Sequence, residues 1–219
     1  MRRSPFLVFV SFLLVFVAGC GNSAVHITDS DQEADSVPTV SIRANSEIFQ
    51  DEPSLFEEAD LIVVAETRTR FEDREHVLNY TERDEARSDL PPALSGFCTK
   101  TPITLRKILK QPTADTIREQ EELEILEPAA LIKQEQGIQK VTMENYREIE
   151  PGSKYILYLK ANTNGDYAVI NMNNGKFDLE NDSAQTKRLE ENEEEQEIHE
   201  RLKQSAKQRF AEEIADLNI

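Results

Sequence analysis

Tryptophan is absent from this chain, and cysteine occurs twice, histidine three times and glycine seven times in 219 residues. Each shortage removes a class of protein. Two cysteines, Cys20 and Cys98, cannot build a disulfide scaffold, so stability must come from an apolar core. The histidines, His26, His76 and His199, are far apart, and no H-x-x-x-H or C-x-x-C spacing accompanies them, so the usual zinc-ligand patterns are missing. The glycines are scattered, with no Gly-rich loop ahead of a helix to cradle phosphate and no G-x-S-x-G nucleophile elbow. Positive charge is scarce as well. Against 42 Asp and Glu stand 25 Lys and Arg, a net charge of −17. With no basic stripe, binding nucleic acid by phosphate neutralisation is excluded. No catalytic residue, metal site or cofactor is assigned from the sequence.

Long apolar runs are also lacking, with one exception. Residues 1–20 read M-R-R-S-P-F-L-V-F-V-S-F-L-L-V-F-V-A-G-C. Arg2 and Arg3 make a positive start, and residues 6–18 are apolar except for Ser11. A bilayer core needs roughly 20 helical residues to cross, so this run is too short for a permanent span and has the proportions of a signal peptide. An A-x-A cleavage site is missing, and a cysteine sits where cleavage should fall. Val17-Ala18-Gly19-Cys20 resembles the lipobox of bacterial lipoproteins. The resemblance implies cleavage after Gly19, a diacylglyceryl group on the Cys20 thiol and Cys20 as the mature N-terminus. Two acyl chains suit that role, because one chain alone gives only marginal membrane retention.

Loss of residues 1–19 would remove two arginines and no acid, taking the net charge from −17 to −19. Such a surface is repelled by anionic headgroups and stands off the membrane. The same acidity fits an alkaline or salty exterior, or a cationic partner. Residues 20–45 are rich in Ser, Asp and Thr without a sustained period, the composition of a disordered tether. A flexible coil of about 25 residues spans roughly 25–30 Å. With Cys20 lipidated, Cys98 has no partner in the chain and reads as a small core residue at a strand start.

A folded domain is expected over residues 46–182. Ser54-Leu55-Phe56-Glu57 has the S-x-x-E form of a helix capping box and predicts a short helix. Next, L-I-V-V at 61–64 is a continuous β-branched run, the mark of a strand covered on both faces. E-H-V-L-N-Y-T at 75–81 is a weaker strand. F-C-T-K-T-P-I-T-L-R-K-I-L-K at 97–110 is a longer one, with a bulge where the alternation slips near Ile108. Leu123 and Ile125 alternate in another short strand ended by Pro128. Residues 151–180 read as a meander of three strands, with turns at N-T-N-G-D and at Asn174-Gly175. N-T-N-G-D is no calcium loop, since an EF-hand register puts Lys160 where a carboxylate is needed.

Residues 183–219 contain neither Gly nor Pro and are rich in Glu, Gln, Lys and Arg, which favours an acidic C-terminal helix. Ile198, Leu202, Ala206, Phe210 and Ile214 recur every fourth residue as one apolar stripe. That stripe either docks on the domain or meets a partner helix. The sum is a mainly β chain with α appendages: a small OB-like β-barrel, a short N-terminal helix and a long C-terminal one. The strings E-A-D-L-I-V-V-A-E-T, T-P-I-T-L-R-K-I-L-K and E-P-G-S-K-Y-I-L-Y-L are similar to the strand pattern of netrin/TIMP-like OB barrels over roughly residues 55–180. The paired cysteines of that family are missing here. In its protease inhibitors a free N-terminal cysteine amine contacts the metal, and a lipidated Cys20 could not.

Tyr155, Tyr158 and Tyr167 are the candidate ligand-binding residues, since tyrosines on an OB face can stack on a sugar or peptide. The functional expectation is a non-enzymatic, lipid-anchored binding or structural module of the bacterial envelope. It would sit on the cell membrane facing outside the cytoplasm, with a protein or envelope polymer as partner. The alternative is an envelope-associated hydrolase using acidic residues on the barrel.

Overall fold

A strand made of L-I-V-V-A needs apolar cover on two sides, and the fold supplies both. The computed structural model describes residues 37–43, 48–82, 92–113, 117–135, 137–180 and 193–217. The signal segment, the V-A-G-C box, most of the tether and the acidic residues 183–192 lie outside the described residues. Among the described residues ten strands are formed: β1 (Thr39–Ile42), β2 (Leu61–Glu66), β3 (Glu75–Tyr80), β4 (Leu94–Lys110), β5 (Glu122–Glu127), β6 (Ala129–Gln134), β7 (Gly137–Met143), β8 (Lys154–Ala161), β9 (Tyr167–Val169) and β10 (Lys176–Asp178). Helix α1 (Glu52–Glu58) precedes β2, while α2 (Glu193–Arg209) and α3 (Ala211–Ile214) follow β10.

Five strands close a barrel. β2 lies antiparallel between β4 and β8, and β4 pairs with β5. β5 runs parallel to β9, which returns antiparallel to β8 and completes the ring. This is an OB-like barrel within a mainly β chain carrying a short N-terminal and a long C-terminal helix. Closure demands a strand that bends. β4 does so with two register shifts against β2, which leave Arg106 and Leu109 as extra residues. The slip read near Ile108 is the second of these.

Alternation along β2 and β8 divides the apolar residues between two cores. Leu61, Val63, Ala65, Tyr155, Leu157 and Leu159 point into the barrel, where Ile103, Leu105, Ile125 and Val169 fill the interior. Ile62, Val64, Ile156 and Tyr158 point outward and are covered by Leu55 of α1 and by Leu202, Ala206 and Phe210 of the C-terminal segment. The apolar stripe of the tail therefore docks on the barrel. Burying a Leu or Phe side chain is worth about 1.5–3 kcal/mol, enough to hold a helix whose exposed face is mostly charged. A second, three-stranded sheet, β1-β7-β6, packs Ala130 and Val141 against Phe97 of β4.

Four local expectations are corrected. The cap of α1 is Asp51, whose Oδ1 accepts from the Ser54 amide at 2.9 Å, so Ser54 lies inside the helix. Residues 39–42, assigned by composition to the tether, pair in parallel with β7 through backbone bonds while their side chains stay exposed. The β6–β7 hairpin was not foreseen. Residues 151–180 are not a meander either, since β9 and β10 both pair with the same edge of β8. Asn174-Gly175 belongs to a 3-10 turn, Met172–Gly175, rather than to a hairpin turn. Asn171 and Met172 enter that turn in the left-handed region, with φ of 55° and 52°. Asn171 is tied to Phe49, accepting from its amide at 3.0 Å and donating to its carbonyl at 2.9 Å.

Gly175 is required by close approach. A Cβ on it would fall 1.7 Å from the Ile170 carbonyl oxygen, which is backbone and cannot rotate away. Gly175→Ala is expected to destabilise the domain by about 3 kcal/mol, measured by urea denaturation. Gly165→Ala, which meets open space but has a φ of 90°, should cost less, about 1 kcal/mol.

Candidate functional site

The candidate tyrosines are pillars of the two cores. Tyr155 and Tyr158 sit on opposite faces of β8 and are fully buried, and Tyr167 is buried on β9. The Tyr158 hydroxyl donates to Glu52 at 2.9 Å. Tyr155 and Tyr158 are packed into the two cores, while Tyr167 also borders the cleft described next. Cys98 is a half-buried free thiol on β4, and burial raises its pKa, which suits a packing residue better than a nucleophile.

One end of the barrel carries an open cleft of about 650 Å³, lined by Ile117, Leu123 and Tyr167 with Asp60, Glu124 and Asp166 around it. Its carboxylates already serve local structure. Asp60 accepts from the Ala161 amide at 3.0 Å, and Asp166 accepts from the Asn162 side-chain amide at 3.2 Å. N-T-N-G-D is an Asx turn in which Asn162 Oδ1 accepts from the amides of Asn164 and Asp166 at 2.8 and 2.9 Å. Among the described residues no group of three or more His, Cys, Asp or Glu is placed to hold a metal ion. Among the same residues no helix is long and apolar enough to cross a membrane.

The most concentrated polar chemistry is inside. Glu127, at the end of β5, and Arg74, just before β3, form an ion pair at 2.7 Å with both side chains fully buried. Glu127 Oε2 also accepts from the Thr101 hydroxyl, and Oε1 accepts from Tyr146 Oη at 2.8 Å and the Ile149 amide at 2.7 Å. Arg74 gives its remaining donors to the Thr69 carbonyl at 2.8 and 3.0 Å and the Ile149 carbonyl at 2.7 Å. A carboxylate with four donors and a guanidinium with every edge occupied have no capacity left for a substrate. The site is structural.

A second set of buried polar side chains is Lys176 on β10 with His199 and Lys203 on α2. Lys176 Nζ stands 5.1 Å from the centre of the Tyr146 ring and 5.6 Å from that of Tyr155. Burial lowers its pKa to about 8, against the pull of Glu127 and Glu148. At the C-terminal end of α2, Arg209 reaches Glu52 at 2.7 Å and so ties the tail to α1. None of these residues was singled out from the sequence. A signal existed: Glu127 shares the inward phase of Ile125 on β5, and His199 and Lys203 are four apart beside the apolar stripe.

No protein-family model matches the chain, and no curated protein matches it. The class defined by the fold is an OB-like barrel module with a docked C-terminal helix.

The buried bases and phenols set an alkaline stability optimum. Lys176 binds its proton less tightly in the folded state, so the unfolded chain holds more protons between about pH 8 and the ordinary lysine value of 10.5. Stability therefore rises with pH through that window. Tyr146, Tyr155 and Tyr158 are raised above the ordinary value of 10 by burial first, helped by the charges of Glu127, Asp178 and Glu52 respectively. Their contribution is present below pH 10 and is lost above it. Urea midpoints should climb from pH 7.5 to a maximum near pH 9–10 and then fall, with Lys176→Met removing the climb; a maximum near neutrality in the wild type would contradict the assignment.

Proposed function

We propose that the chain is a lipid-anchored, non-enzymatic module of the bacterial envelope, held at the outer side of the cell membrane through Cys20. Its barrel binds or positions a protein or an envelope polymer. The observation that carries the reading is the V-A-G-C box directly after a positively charged start and an apolar run too short to span a bilayer. Net charge supports the geometry of standing off the surface, because a mature chain at −19 is repelled by anionic lipid.

A non-catalytic role is supported by the use already made of the polar groups. The barrel interior is filled with side chains, and its buried carboxylate is saturated by Arg74, Thr101, Tyr146 and Ile149. A hydrolase acting through acids on the barrel would need two converging carboxylates free to exchange protons with a substrate. The cleft acids Asp60 and Asp166 are each tied into a turn. The partner is read as a surface that tolerates or seeks negative charge.

Labelled palmitate fed to a bacterial host expressing the full chain should enter the wild type and not Cys20→Ala, and the variant should leave the membrane fraction. Label retained in Cys20→Ala, or none in the wild type, would refute the anchor.

A further inference from the structure

The underside of α2 is unusual for a docked helix. Its lower part is apolar, with Leu202, Ala206 and Phe210 against the barrel, but its upper part buries an imidazole. His199 is 2% exposed. Its ring lies 5.4 Å from that of Phe177, its Nδ1 is 3.1 Å from Asn174 Oδ1, and its Nε2 is buried without a hydrogen-bond partner. The charges that act on this ring are Lys203 from its own helix, Lys176 from β10 and Arg147 from the segment before β8. All three are cationic. The 3-10 turn contributes neutral Asn173 and Asn174, and the hydrogen bond to the Asn173 backbone offsets part of the lowering. Asp178, the carboxylate on β10, accepts from the Glu180 amide at 2.8 Å. At the far end of the helix, Arg209 and Glu52 form an ion pair that does not involve the imidazole.

We propose that the C-terminal helix is a proton-released latch, docked over the outer face of the barrel at neutral and alkaline pH and let go when His199 takes up a proton. A protonated imidazole in that position would add a buried positive charge beside those of Lys176, Lys203 and Arg147, on a ring whose Nε2 has no hydrogen-bond partner in the docked state. Hydration becomes available only if α2 lifts. Lifting uncovers Ile62, Val64, Ile156, Tyr158 and Phe177, an apolar face presented only in acid. The inference depends on folded residues alone and stands apart from the lipid anchor.

The direction and size follow from linkage. Burial, followed by the charges of Lys176, Lys203 and Arg147, lowers the His199 pKa from 6.5 to about 4. The docked state is favoured fully above pH 6.5, and that advantage is lost as pH falls toward 4. Between pH 7.5 and 5.0 the released-to-docked ratio should rise roughly thirtyfold.

Hydrogen exchange on the full chain, corrected for the intrinsic pH dependence of exchange, tests this. Protection of residues 199–210 should fall by that factor between pH 7.5 and 5.0 while β2 and β4 keep theirs, and His199→Gln should abolish the fall. Glu52→Gln, which removes a titratable tie between the tail and α1, should leave the fall in place. Unchanged helix protection in the wild type, parallel loss in the barrel, or the same fall in His199→Gln would each overturn the latch. If His199→Gln fails to dock at any pH, Lys176→Met decides: a fall weakened severalfold supports the latch, and an undiminished one overturns it.

Discussion

A carboxylate shut away from water must have its charge and its lone pairs met by neighbours, or it destabilises the fold by several kcal/mol. Glu127 meets that condition with four donors from three separate parts of the chain: Arg74 before β3, Thr101 on β4, and Tyr146 with the backbone of Ile149 between β7 and β8. Arg74 in turn holds the carbonyls of Thr69 and Ile149. Such a pair contributes little net stability compared with an apolar replacement, but it tolerates only one arrangement of the segments that feed it. The barrel, the added β6–β7 hairpin and the loop that enters β8 all converge here. Thr99, two residues along β4 from Thr101, donates to the Ala129 carbonyl at 2.6 Å and continues the tie into β6.

Around this point the chain is organised by the two faces of β2 and β8. Inward residues complete a filled barrel, and outward residues receive α1 and the tail. The tail interface mixes an apolar stripe with buried bases, and those bases respond to protons in one direction. His199 disfavours the docked helix in acid, and Lys176 disfavours the folded state most below about pH 8, a penalty relieved as pH rises toward 10.5. A net charge of −17 belongs to the same design, since acidic groups carry solubility on the surface while a few bases are kept neutral or crowded inside.

Much of the architecture could be read from the chain because apolar periodicity reports burial directly. Residues 61–64 announced a strand covered twice, and the every-fourth-residue stripe announced a helix with one buried side. The barrel class followed from strand number and spacing. What was missed has a common cause. Glu127, Arg74, Lys176 and Lys203 are charged, and charge reads as surface until the partners that neutralise it are known; those partners are 26 to 75 residues away in some cases. The Asn174-Gly175 turn was misread because hairpin chemistry and close approach both select glycine, and only the position of the Ile170 carbonyl separates them. The tyrosines show the reverse ambiguity, since an amphipathic side chain fits both a binding face and a core, and here Tyr155 and Tyr158 are buried in the cores.

The Arg74–Glu127 pair is the constraint that fixes the appended segments to the barrel, and a double-mutant cycle measures it most directly. Arg74→Ala and Glu127→Ala should each cost about 3–5 kcal/mol in urea unfolding, because each leaves a buried charge alone. The double variant should cost little more than either single, with the missing energy appearing as a coupling. Additive losses, or singles below about 1 kcal/mol, would contradict it.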